Sequence, residues 1–258
     1  MKPRVVAVVN QKGGVGKTTT AINLGAALAA YERRTLLVDL DPQGNCTAGL
    51  GGEPKPGNGT TYELLTGQVE LGSVIRPTEF PHLSLVPATP DLAGAEVELV
   101  GMVGREFRLR EALQGFTGGE YVFVDCPPSL GLLTVNALAA ADALIVPIQC
   151  EYYAMEGVSK LLATVDEIRR YLNPELAIDG ILLTMYDDRT NLAQQVAEEV
   201  RSVFGDLVFE TIVPRNVRLA EAPSFGRPIH AYDLRSKGAQ AYLQLGREYV
   251  ARTEVVFG

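Results

Sequence analysis

The 258-residue sequence predicts an α/β fold, a mostly parallel twisted sheet with helices on both faces. Three observations carry that prediction. Apolar runs at 5–9, 35–39, 121–125, 143–147 and 180–184 lack polar alternation, as strands covered on both sides do. Stretches long enough for helices lie between these runs, joined by short turns. Two of the runs end in an acid, Asp39 and Asp125, where parallel strands deliver functional groups. No repeat or linker interrupts the pattern, so residues 1–258 read as one domain.

The composition, 47% apolar and 21% charged, is that of a globular protein and excludes a disordered chain. No apolar run approaches the roughly 20 residues that cross a bilayer. The N-terminal run is too short for a signal peptide, so a cytoplasmic protein with no membrane association is expected. Cys46, Cys126 and Cys150 have no CxxC spacing, and only His82 and His230 could join them, which argues against structural zinc and for small buried thiols. The net charge is −8, yet Arg215, Arg218, Arg227, Arg235 and Lys237 face only Glu221 and Asp233 between 215 and 237, a local positive stretch on an acidic chain.

The first strand, Val5–Val9, runs into Asn10-Gln11-Lys12-Gly13-Gly14-Val15-Gly16-Lys17-Thr18-Thr19-Thr20 and then an apolar helix from Ala21. Strand, glycine turn and helix are the context a phosphate-binding loop requires. Glycines at 13, 14 and 16 let the backbone curl so that its N–H groups surround an anion, and the helix N-terminus adds partial positive charge. Lys17 can reach outer phosphates and Thr18 can ligate the Mg²⁺ that bridges them.

The second strand, Thr35–Asp39, leads to Asp41-Pro42-Gln43, which brings Asp41 near the terminal phosphate. Residues 51–60 are too rich in glycine and proline for regular structure and read as a mobile surface loop. A short helix at 61–66 follows, then a strand at 83–86 and a helix at 91–100 capped by Asp91. Arg105, Arg108 and Arg110, with Glu106 and Glu111, read as a solvated helix. Tyr121–Asp125 is the next buried strand, with Asp125 as a Mg²⁺ ligand acting through water. A long helix is expected over 151–172, and one with an apolar face (Leu192, Val196, Val200, Phe204) ending at Gly205.

Lys12-Gly13-Gly14-Val15-Gly16-Lys17-Thr18-Thr19 resembles the deviant Walker A motif of a P-loop NTPase family that includes partitioning ATPases, septum-site ATPases and nitrogenase iron proteins. Met185-Tyr186-Asp187-Asp188-Arg189-Thr190 and Pro214-Arg215-Asn216-Val217-Arg218-Leu219-Ala220-Glu221-Ala222-Pro223-Ser224 narrow the resemblance to ParA/Soj-type ATPases, over residues 4 to 250. The resemblance implies a slow, partner-stimulated Mg-ATPase that forms a homodimer around two ATP molecules, with Lys12 reaching the partner's nucleotide. It implies that Lys12, Lys17 and Asp41 are catalytic, Asp41 positioning the attacking water. Thr18, Asp41 and Asp125 are the candidate Mg²⁺ ligands, and Pro214 and Asn216 lie by the adenine. Binding of double-stranded DNA without sequence preference, a nucleoid location and a ParB-type centromere-binding partner follow from it. Arg189 and Arg218 match the family's DNA-contacting positions, with Arg215 and Arg227 beside them; pairing with Asp187, Asp188 and Glu221 is the alternative use of these arginines. A MinD-like septum-site ATPase is the rival reading, but residues 250–258 lack the basic amphipathic pattern of that branch. A cluster carrier would have only Cys126 near the nucleotide.

Overall fold

The computed structural model describes residues 2–54, 59–152 and 154–254. Seven strands form one sheet: β1 (Arg4–Val8), β2 (Thr35–Asp39), β3 (Arg76–Pro77), β4 (Leu83–Val86), β5 (Tyr121–Asp125), β6 (Ala143–Gln149) and β7 (Ala177–Thr184). Their order is β3-β4-β2-β5-β1-β6-β7, parallel except for the edge pair β3–β4. The helices are α1 (Lys17–Ala30), α2 (Asn45–Gly49), α3 (Thr61–Thr66), α4 (Leu71–Val74), α5 (Leu92–Leu99), α6 (Arg108–Leu113), α7 (Leu132–Ala140), α8 (Ala154–Tyr171), α9 (Asn191–Phe204), α10 (Val217–Glu221), α11 (Ile229–Tyr232) and α12 (Lys237–Glu254). The expected mostly parallel α/β sheet is present.

Because side chains alternate along a strand, each central strand feeds two cores. Val5 and Ala7 of β1, Leu36 and Val38 of β2, and Val122 and Val124 of β5 pack on one face with α3 and α5 to α9. Val6 and Val8, Leu37, and Tyr121 and Phe123 pack on the other with α1 and α12. Helix α12, which the sequence reading did not assign, closes that second core. Its Tyr242, Leu245 and Tyr249 are buried, and the Tyr249 ring lies 5.9 Å from that of Phe123. At the far end of the sheet Arg4 Nε donates to Asp179 Oδ2 (3.0 Å), and Tyr249 Oη donates to the same oxygen (2.6 Å).

Local sequence explains several boundaries. Thr60 and Glu63 form a reciprocal capping box that starts α3, and Thr190 accepts from the Ala193 N–H to start α9. Asp91 does not cap α5: it already has helical dihedrals and no side-chain bond to the helix, and the backbone of Thr89 and Pro90 receives the first N–H groups instead. The expected arginine-rich helix is a single turn at Arg105–Phe107 followed by α6. Arg105 pairs with Glu106 and Arg108 with Glu111, while Leu109 and Leu113 are buried. The expected loop at 51–60 is irregular where described, and residues 55–58 lie outside the described residues. Its first glycine touches another backbone: a Cβ on Gly226 would come within 2.8 Å of the Gly51 Cα, and both glycines have positive φ (61° and 71°).

Candidate nucleotide site and basic segment

The phosphate loop leaves β1 at the C-terminal edge of the sheet and ends at Gly16, whose φ of 88° turns the chain into α1. Two braces missed by the sequence reading hold it. Asn10 donates from Nδ2 to the Pro147 carbonyl (2.7 Å) and accepts the Lys12 N–H at Oδ1 (3.0 Å). Thr184, the last residue of β7, donates to the Val15 carbonyl (2.9 Å). Both residues are polar ends of strand-like runs, a signal that marks their position but not their partner.

The two lysines of the loop differ in environment. Lys17 is 6% exposed and donates to the Lys12 carbonyl (3.1 Å); burial lowers its pKa, and the nearby Asp125 carboxylate opposes that. Lys12 projects outward, its side chain 42% exposed and paired with Glu151.

Strand pairing sets Asp39 directly opposite Asp125, and Asp125 also neighbours Val8 of β1, so the second acid stands between the loop's own strand and the first acid. Both are fully buried. Neither oxygen of Asp125 has a hydrogen-bond partner among the described residues. Burial pushes its pKa well up, Asp39 adds to this, and Thr18 opposes it. Burial raises Asp39 to about 6 although it accepts from Thr47 and from the Asp41 N–H. Asp41 is 6% exposed and accepts the Gln43 N–H at Oδ1 (2.9 Å).

A buried carboxylate this short of donors is stabilised in its charged form by a cation. Asp125 with the Thr18 hydroxyl supplies the hard oxygen donors that Mg²⁺ prefers. The residues therefore fit that ion. The three cysteines are buried free thiols, and burial raises each of them, Cys150 to about 11.

Beyond β7 the chain runs beside residues 213–216. The Val213 N–H donates to the Leu183 carbonyl (2.9 Å), Tyr186 pairs with Pro214, and the Arg215 N–H donates to the Tyr186 carbonyl (2.9 Å). Pro214 and Asn216 thus follow the strand whose last residue braces the phosphate loop. Asn216 caps α10 by accepting the Arg218 N–H (2.9 Å). Two of the predicted arginines, Arg189 and Arg218, are paired where they stand. Arg189 grips Asp187 through Nε (2.8 Å) and Nη2 (2.6 Å), and it holds that carboxyl down at about 2, with Arg215 contributing. Arg218 meets Glu221 (2.8 Å) and Asp233 (3.5 Å). Arg227 follows the single turn at Ala222–Phe225.

A family model described as an AAA domain matches residues 3–178. Among curated proteins, the Myxococcus xanthus chromosome partitioning protein ParA is 59% identical over 250 residues, covering 96% of this chain and 88% of that protein. The chain belongs to the ParA/Soj family. The Thermus thermophilus chromosome-partitioning ATPase Soj, another member, is 55% identical over 253 residues and covers 98% of both chains. Among solved structures, a Mycobacterium smegmatis protein named cobyrinic acid a,c-diamide synthase, with a bound ATP analogue and magnesium, superposes with a TM-score of 0.82 at 42% identity, over 95% of this chain and 93% of that one. Membership of the ParA/Soj family agrees with the strand, glycine loop and helix found from Arg4 to Ala30.

Proposed function

We propose that the protein is an ATP-hydrolysing DNA-partitioning switch, in which two copies close around two ATP molecules, bind DNA without sequence preference and are released when a ParB-type centromere-binding partner stimulates hydrolysis. The observation that carries this reading is the division of labour between the two loop lysines: Lys17 is buried inside the loop and Lys12 stands outside it. The Lys12–Glu151 pair is open on the lysine side and half-buried on the acid side, so the lysine can leave it for another anion. Lys12 is therefore free to serve a nucleotide held by the other subunit.

Within one subunit the backbone N–H groups of Gly13, Gly14, Val15, Gly16, Lys17, Thr18 and Thr19 take the phosphates, and Lys17 neutralises them. Asp125 and Thr18, with Asp41, would hold Mg²⁺, which supplies further neutralisation of the phosphate oxygens when bound. Asp41 orients the attacking water. Pro214 and Asn216 flank the base, and Arg189, Arg215, Arg218 and Arg227 carry the DNA. Among the described residues no helix is long and apolar enough to cross a membrane. A cytoplasmic, nucleoid-associated location belongs to the same reading.

Light scattering with and without ATP, alongside nucleotide binding, tests it. Lys12→Ala is expected to keep nucleotide binding and lose the ATP-dependent dimer, whereas Lys17→Ala loses both. A Lys12 variant that dimerises like the parent overturns the two-subunit arrangement.

A further inference from the structure

Asp39 does not face solvent and reaches nothing outside the protein, yet its carboxylate is fully engaged. Oδ2 accepts both the Thr47 N–H (2.8 Å) and the Thr47 hydroxyl (2.6 Å), and Oδ1 accepts the Asp41 N–H (3.2 Å). The Thr47 hydroxyl, its single proton committed to Asp39, accepts the Ala88 N–H (2.9 Å). A hydroxyl with its proton and one lone pair assigned has a fixed orientation. Thr47 is 2% exposed in α2, so it does not itself reach nucleotide or water. Its hydroxyl is a clasp between the end of β4 and the acid that holds the backbone of Asp41.

We propose that Thr47 is a positioning residue for ATP hydrolysis, its hydroxyl fixing the Asp39 carboxylate and through it the main chain that aims Asp41 at the phosphate loop. This rests on the reading of Asp41 as the residue that orients water. The clasp is separable from the fold. The Asp39 main chain has its own anchors, the β2–β5 pairing and the Thr61 hydroxyl, which donates to the Asp39 carbonyl (2.7 Å). Loss of the Thr47 hydroxyl removes the shortest of the three hydrogen bonds to the carboxylate and its tie to Ala88, leaving the two backbone donors and the strand in place. The bonds to ATP come from the loop at 12–19, which Thr47 does not touch, so the loss should fall on turnover and spare binding. Misplacing a water-orienting group by about 1 Å lowers rates on the order of 100-fold.

The test compares Thr47→Val, which keeps the shape and removes the hydroxyl, with Thr47→Ser, which keeps the hydroxyl. A second pair, Thr47→Ala against Thr47→Ser, differs by the oxygen alone and serves if the valine variant does not fold. Each full-length variant is assayed for phosphate release from ATP with plasmid DNA, for binding of a fluorescent ATP analogue, and for thermal midpoint. The expected result is a fall in kcat of about tenfold or more for Val and Ala, with KM and analogue binding within about twofold and the Ser variant recovering at least half the rate. Parental turnover in the hydroxyl-free variants, an equal loss in the Ser variant, or loss of analogue binding together with turnover overturns the proposal. Parent protein that binds the analogue and releases no phosphate would instead overturn the ATPase reading beneath it.

Discussion

At the scale of single residues, the site turns on acids buried at the ends of adjacent strands. Asp39 and Asp125 sit side by side and fully buried, an arrangement that disfavours two charged carboxylates, an effect that Lys17 opposes at Asp125. Asp41, two residues beyond its strand and slightly exposed, is the acid free to meet a water molecule. Asp41→Ala is therefore expected to bind ATP and dimerise while turnover drops on the order of 100-fold or more, leaving the protein held on DNA. Phosphate release in the presence of DNA checks this, and parental turnover would transfer the role to Asp39. The positions of Lys17, Thr18 and Asp125 were legible in the sequence because a glycine loop between strand and helix and an acid at the end of an apolar strand together mark one edge of a parallel sheet, whereas the role of Asp41 rests on the family resemblance. Thr47, Asn10 and Thr184 were not. Their work consists of hydrogen bonds whose decisive partners, Ala88, Pro147 and Val15, are distant in sequence, and nothing local to them marks which residues those are.

At the scale of elements, the parallel strands were legible because their apolar runs are continuous and bounded by turns. Helix α12 was not. It contains Gly238 and Gly246, and its buried face, Ala239, Ala241, Tyr242, Leu245 and Tyr249, carries a single large aliphatic side chain, so its apolar stripe is weak in the sequence. Tertiary packing decides it: Gly246 lets α12 approach α1 so closely that an added Cβ would stand 3.1 Å from that of Ala27. Tyr249 completes the attachment through Asp179, whose other partner is Arg4. Tyr249→Phe removes one bond to a buried carboxylate and should destabilise the fold by about 2 kcal/mol. Urea unfolding followed by circular dichroism measures it; an unchanged midpoint would show that the Tyr249–Asp179 bond adds nothing to the attachment of α12. ATP binding should not change, since the substitution lies at the opposite end of the sheet from the phosphate loop.

At the scale of the whole molecule, the proposed DNA binding requires an acidic protein to concentrate positive charge in one place. Arg189, Arg215 and Arg218 gather around the junction of β7 with the segment before α10, while the remainder of the chain carries the excess acid. Both readings of Arg189 and Arg218 meet here, since each arginine is paired with a neighbouring acid and is also well exposed, with side chains 82% and 53% accessible. Exposed pairs of this kind hold little energy, so exchange for a phosphate is cheap. The ATP-bound dimer should bind two unrelated duplexes alike, with affinity falling steeply as salt rises because each phosphate contact releases counterions. Arg189→Glu or Arg218→Glu should abolish binding at moderate salt and leave dimerisation and the thermal midpoint unchanged. A gel shift across a salt series checks this. Preference for one duplex would refute it, and retained binding in both variants would move the DNA face to Arg227, Arg235, Lys237 and Arg247.

The contact between Gly51 and Gly226 sets how these scales are joined. Side chains between two segments act as a soft layer, since rotamers give way before the backbone does. Here that layer is missing, and the chain leaving α2 bears directly on the chain that leads to Arg227. Such a joint has low compliance. At this joint a shift of α2 meets backbone directly, while beside it Cys46 and Leu50 pack with Ala222 in the same core, so α2 and the segment leading to Arg227 are expected to move together.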